Sequence, residues 1–327
     1  MTDSYNIFKS GLDLFQIGDY TKAKELYEKA IQLNNSCAMT NLGNIYYEGQ
    51  GVKQDYTKAK ELYEKAIQLN NSGAMTNLGY MYYKGQGVKQ DYTKAKELYE
   101  KAIQLENSDA MNNLGNMYYE GQGVKQDYIK AKELYEKAIQ LNNTQAITNL
   151  AHMYQYGKGV KQDYTKVKEL YEKAIQLDNS QAMNNLARMY YEGKGVKQDY
   201  TKAKELYEKA IQLNNSRAMY YLCHMYQTDQ GVQQNIGEYS QYYDKLYMND
   251  NTLLDRLIDD LRTDKCRILL KEYIKVKNEK NNLIEQLNSK IKCLENELLS
   301  EKYAPGGEGY YEAKNHFDHV AKKLCER

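Results

Sequence analysis

The chain of 327 residues has no tryptophan, three phenylalanines and a single proline. So few prolines leave helices almost uninterrupted, because proline removes a helical donor and clashes with the preceding turn. Cysteines are few as well: Cys37, Cys223, Cys266, Cys293 and Cys325. They are odd in number and scattered, which argues against a disulfide framework and for reduced thiols in a cytoplasmic setting. Charge of one sign is missing, since 45 basic and 44 acidic residues leave a net charge of +1. That removes any global field for gathering nucleic acid or an acidic substrate. No apolar run nears the ~20 residues needed to cross a bilayer. The opening "MTDSYNIFKSG" carries Asp3 and no apolar core, so it does not read as a secretory signal.

What the chain does have is 35 tyrosines and one sentence said repeatedly. "AMTNLGNIYYEGQGVKQDYTKAKELYEKAIQLNNS" spans residues 38–72 and then returns. Its Asp-Tyr pair recurs at Asp19, Asp55, Asp91, Asp127, Asp163 and Asp199, in steps of 36 residues. A fixed period of this size signals a solenoid. Each unit carries two helical stripes. Ala38, Met39, Leu42, Gly43, Ile45 and Tyr46 make the first, with Ser36 as expected N-cap. Tyr56, Ala59, Leu62, Tyr63, Ala66 and Ile67 make the second, with Asp55 as expected N-cap. Its outer face places Glu61 and Lys65 at i,i+4 spacing. The connector "EGQGVKQ" holds two glycines that can end a helix and turn the chain. One helix pair cannot bury both stripes alone; stacked neighbours can. Gly43, Gly79 and Gly115, then Ala151, Ala187 and Cys223, share one position where small side chains let helices cross closely. Cys223 therefore reads as a packing residue.

The run "NLGNIYY" followed by "DYTKAKELYEKAIQL" resembles the tetratricopeptide superfamily, with Leu42, Gly43, Tyr46, Ala59, Tyr63 and Ala66 matching its pattern in order. The connector "GQGV" and the 36-residue period resemble the Sel1-like branch. Arrays with this Asn, Lys and Tyr bias also look like those of amoeba-infecting giant viruses, which would place the chain in host cytoplasm. The first unit, "GLDLFQIGDYTKAKELYEKA", is shorter between its stripes and looks like an ordinary tetratricopeptide repeat. The resemblance implies an all-α, right-handed α-solenoid of about seven antiparallel helix pairs over residues 1–249. It also implies a concave surface, lined by the first helix of each pair, that takes a protein or peptide partner.

On that helix, Cys37, Thr40, Asn41, Asn44, Tyr47 and Glu48 are not needed by the apolar stripe. Asn41 recurs as Asn77, Asn113, Asn149 and Asn185 and becomes Tyr221. A carboxamide both donates and accepts, so it can pair with a peptide backbone. The Asn44 series runs Asn44, Tyr80, Asn116, His152, Arg188 and His224; the Cys37 series ends at Arg217. This face varies while the packing positions scarcely change, either for recognition or by drift among recent duplicates. Arg188, Arg217, His152 and His224 suit an acidic segment of a partner.

After about Thr252 the period stops. Residues 250–303 read as a long helix in which Ile284, Leu287, Ile291, Leu294 and Leu298 form a short coiled-coil seam. Residues 304–327 read as a break at "APGGEG" and a terminal helix. Weak homo-oligomerisation through residues 284–298 makes a structural assembly protein the alternative to an interaction adaptor. "GQGV" lacks the Lys-Ser/Thr ending of a phosphate loop, and His316 with His319 lacks further ligands for a metal. No nucleophile-elbow, zincin or kinase pattern occurs. The expectation is a non-enzyme with no cofactor, no metal, no nucleic acid and no membrane contact.

Overall fold

Each repeat carries its own helix boundaries. In the pair Asn34-Asn35, Asn34 sits in the left-handed region at φ 57° and closes one helix. Asn35 opens the next, its carboxamide oxygen accepting from the Ala38 amide at 2.9 Å. The cap is thus Asn35 and not Ser36, which is already the first helical residue. A cap must stand outside the turn it closes, and the longer amide also reaches back to donate to the Ser4 hydroxyl at 3.1 Å.

The connector is equally determined. Gly49, at φ 75°, ends its helix by donating its amide to the Ile45 carbonyl at 2.9 Å. Gln54 donates its side-chain amide to the Tyr47 carbonyl at 2.8 Å. The Asp55 amide donates to the Tyr46 carbonyl at 2.9 Å. The Asp55 carboxylate, as expected, caps the following helix by accepting from the Thr57 and Lys58 amides, both at 3.1 Å. The Lys58 amide is the main reason that Asp55 titrates below the ordinary aspartate value.

The computed structural model describes residues 2–228 and, beyond them, Glu285, Gln286, Ser289 and Lys290, which are helical. The chain divides into two units, Met1–Tyr242 and Tyr243–Arg327. The first unit contains α1 (Thr2–Gln16) and α2 (Tyr20–Gln32), joined by the short turn at residues 17–19. Next come α3 (Ser36–Glu48) with α4 (Tyr56–Gln68), and α5 (Ser72–Lys84) with α6 (Tyr92–Gln104). Then follow α7 (Ser108–Glu120) with α8 (Tyr128–Gln140), and α9 (Thr144–Tyr156) with α10 (Tyr164–Ile175). The series closes with α11 (Ser180–Glu192), α12 (Tyr200–Gln212) and α13 (Ser216–Thr228). Each helix packs on the one before and the one after it, and there is no strand among the described residues. The unit is an all-α solenoid. The expected partner helix of α13, the seam residues Ile284, Leu287, Ile291, Leu294 and Leu298, the expected break at 304–309 and the expected terminal helix with His316 and His319 lie outside the described residues.

The core is one motif repeated. Tyr27, Tyr63, Tyr99, Tyr135, Tyr171 and Tyr207 are all fully buried. Within a pair, the tyrosine of the second helix lies on the small residue of the first: a Cβ on Gly43 would stand 2.5 Å from Tyr63 Cε1. Cys223 is wholly buried at the equivalent place, and burial pushes its thiol up to about 12.

Two details differ from the expectation. Thr40 belongs to the core, with its hydroxyl donating to the Ser36 carbonyl at 2.9 Å. The outer ion pair is Lys60 with Glu64 at 3.5 Å, repeated as Lys24–Glu28, Lys96–Glu100, Lys132–Glu136, Lys168–Glu172 and Lys204–Glu208. At the two ends of the array the neighbouring repeat favours this pairing. Lys24 lies over the Tyr46 ring at 6.0 Å and Lys204 over the Tyr226 ring at 5.6 Å, so packing fixes the lysine and Glu28 or Glu208 follows one turn on.

Two repeats depart from asparagine at this turn: Asp178, at φ 54°, is a residue that tolerates the left-handed region, whereas Glu106 is not. Glu106, at φ 55°, holds the left-handed position that Asn34, Asn70, Asn142 and Asn214 hold elsewhere. Asparagine tolerates that region far better than glutamate. Glu106→Asn is therefore expected to stabilise the protein by about 0.5 kcal/mol, read from urea unfolding. A loss of stability would contradict it.

Candidate functional site on the face of the first helices

The helices α3, α5, α7, α9, α11 and α13 present the varied positions side by side. The Asn41 series is half-buried throughout. Its amides bond within the solenoid, across repeats. Asn41 donates to the Tyr27 hydroxyl at 3.4 Å, and Asn77 donates to Asn44 Oδ1 at 2.7 Å. Asn149 donates to Asn112 Oδ1 at 2.9 Å and Asn116 Oδ1 at 3.0 Å. Asn113 and Asn185 accept from the adjacent Asn112 and Asn184 amides, both at 3.4 Å, and the Tyr171 hydroxyl donates to Gln155 at 3.4 Å. The Asn44 series completes the network: Tyr63 donates to Asn44 at 2.7 Å and Tyr135 to Asn116 at 2.6 Å. A carboxamide has four bonding positions, so these residues hold neighbouring repeats in register and still offer capacity outward.

The remaining positions differ in exposure. Tyr80 is 38% exposed and stacks on Tyr83 at 6.4 Å, with Lys84 over both rings. His152 lies 4.4 Å from the Tyr156 ring centre, and its Nδ1 is 3.2 Å from the Tyr119 hydroxyl. Desolvation, then the Lys158 ammonium, hold the His152 imidazole below its ordinary value of 6.5. Both effects favour the neutral ring over the cation. His224 Nδ1 is 3.3 Å from the Tyr191 hydroxyl. Arg188 is half-buried, with Nε 3.7 Å from Glu192, whereas Arg217 is exposed.

A groove of about 470 Å³ opens between α3 and α5, lined among others by Asn44, Tyr47, Glu48, Tyr63, Asn77 and Tyr80. Three residues predicted from sequence, Asn44, Asn77 and Tyr80, thus meet in one depression. Tyr47 was visible as a free position but not as part of a wall. Its hydroxyl donates to Gln86 of the next repeat, and burial, then the nearby Tyr80, Tyr56 and Glu48, push it up to about 12. A second groove, about 700 Å³, lies on the connector edge where Lys132, Lys161 and Lys166 surround Tyr154. Lys132 lies a repeat away from Lys161 and Lys166, and each reads in the sequence as an ordinary solvated charge. Among the described residues there is no His, Cys, Asp and Glu cluster suited to a metal, and no helix long and apolar enough to cross a membrane.

A stack of helix pairs with a constant core and one varied face defines a helical-repeat solenoid, a class that binds other chains on extended surfaces. The chain belongs to the Sel1 repeat family: that repeat matches at residues 38–71, 72–107, 108–143, 144–179, 180–215 and 216–243. A tetratricopeptide repeat matches residues 10–37, in keeping with the short first turn. The chain is similar to a Sel1 repeat protein from Oxalobacter formigenes, at 31% identity and TM-score 0.63, covering 74% of this chain and 99% of that one. It is similar also to c5321, a protective antigen of uropathogenic Escherichia coli with an SLR fold, at 30% identity and TM-score 0.52, covering 78% of this chain and 56% of that one. The immunity protein Pa5087 of Pseudomonas aeruginosa shares the fold at 22% identity and TM-score 0.52, over 67% of this chain and 83% of its own. No significant match was found among curated proteins.

Proposed function

We propose that the chain is a non-catalytic adaptor that binds a partner polypeptide along the face of its first helices. One observation supports this above the others. Most positions that vary between near-identical repeats fall on one face, beside an open groove, while the apolar core positions scarcely change. The amides of that face can pair with a backbone, and Tyr80 and Tyr83 offer aromatic surface beside them. A cytoplasmic setting fits the free thiols of Cys37 and Cys223.

The test uses exposed residues, because the half-buried asparagines also hold the repeats together. A triple variant, Tyr80→Ser, His152→Ser and Arg217→Ser, is compared with an outer-face triple, Glu61→Ser, Glu97→Ser and Glu133→Ser. Both are expected to keep the wild-type melting temperature. Capture from lysate of the native cell should lose its partner with the first variant only. Equal capture by both would sink the reading.

A further inference from the structure

The groove position between α3 and α5 recurs along the solenoid, and its polar bookkeeping changes at the far end. At the near end the buried tyrosine hydroxyl finds a carboxamide: Tyr63 donates to Asn44, which also accepts from Asn77. In the middle, Tyr135 donates to Asn116, which also accepts from Asn149. In the last described repeats both amides are gone. Arg188 stands where Asn44 and Asn116 stood, and Tyr221 where Asn77 and Asn149 stood.

The substitution removes acceptors and adds donors. The Tyr207 hydroxyl is buried and has no hydrogen-bond partner among the described residues. The Tyr221 ring lies nearly parallel to that of Tyr207, with centres 5.7 Å apart. Arg188 carries five donors and no acceptor. Its Nε is 3.7 Å from Glu192, too far for a hydrogen bond. A buried donor without an acceptor is costly to keep. Glu192 balances the Arg188 charge at ion-pair distance, but no acceptor meets the Tyr207 hydroxyl among the described residues.

We propose that this position, between α11 and α13, binds a carboxylate presented by the partner chain, an aspartate or glutamate side chain held by the Arg188 guanidinium and the Tyr207 hydroxyl. The inference rests on the reading of the first-helix face as the interface. Arg188, 31% exposed in its side chain, meets the carboxylate first. Charge-assisted bonds of this kind are the strong ones.

The test uses the full chain and two fluorescently labelled probes, hexaglutamate and hexaglutamine, read by anisotropy. Hexaglutamate is expected to bind and hexaglutamine not. Arg188→Asn, which restores the amide of the other repeats, should weaken hexaglutamate binding about tenfold or more. Tyr207→Phe should weaken it about threefold or more while leaving the melting temperature unchanged or higher, since the lost hydroxyl had no partner. Lys161→Ser, on the connector edge, should change nothing. Equal binding of the two probes, binding unaffected by Tyr207→Phe, or an equal loss with Lys161→Ser would each overturn the proposal. Partner capture with Arg188→Asn alone separates this from the broader reading. If capture survives that change but not the Tyr80, His152 and Arg217 triple, the interface stands and the carboxylate site falls.

Discussion

Tyr135→Ala is expected to cost about 4 kcal/mol of stability, the range for emptying a large aromatic site in a core. Tyr135 is fully buried in the middle of the array, against Gly115, with its hydroxyl donating to Asn116 at 2.6 Å. Because each repeat couples only to its neighbours, the cavity weakens one link of a chain. Urea unfolding should therefore separate into two transitions. Tyr135→Phe removes only the hydroxyl and is expected to cost about 1 kcal/mol. Tyr207→Phe, at the same position of the last repeat, is expected to cost nothing, because that hydroxyl has no partner among the described residues. Equal losses for the two phenylalanine variants would refute the hydrogen-bond account.

The second large effect runs the other way, by overfilling. A Cβ on Gly115 would meet Tyr135 Cε1 at 2.6 Å and Cδ1 at 2.9 Å. The ring cannot swing aside while Asn116 holds its hydroxyl. Gly115→Val is expected to destabilise by about 3 kcal/mol, and Gly115→Ala by about 1 kcal/mol. The milder alanine cost follows from Ala151 and Ala187, which occupy the same place in later repeats. There the structure has already opened enough to admit a methyl group. A valine variant that melts like the wild type would show that the helix pair spreads freely and that close crossing is not what the glycine secures.

Much of the site was legible because the chain can be compared with itself. Aligning copies separated the constant positions from the Asn44 series without any structure. The same alignment could not say what Asn77 touches. Its acceptor, Asn44, lies 33 residues away and meets it only when two first helices stand side by side. Invariance of these asparagines thus has a packing cause beside any binding role. Nor could spacing tell Lys60–Glu64 from Glu61–Lys65, since both are i,i+4. His152 reads as a cation in the sequence, yet desolvation and Lys158 favour its neutral form.

The sequence by itself determined the helices, their turns and their number per repeat. Those depend on local signals: the 3- and 4-residue apolar spacing, glycine and asparagine at left-handed positions, and Asp55 or Asn35 within reach of the next amides. It also determined that the units must stack, because no pair could cover its own apolar stripes. Only the tertiary structure decided which polar groups remain for a partner. That question turns on contacts between residues far apart in the chain, where one buried hydroxyl finds an amide and another, that of Tyr207, finds no partner among the described residues.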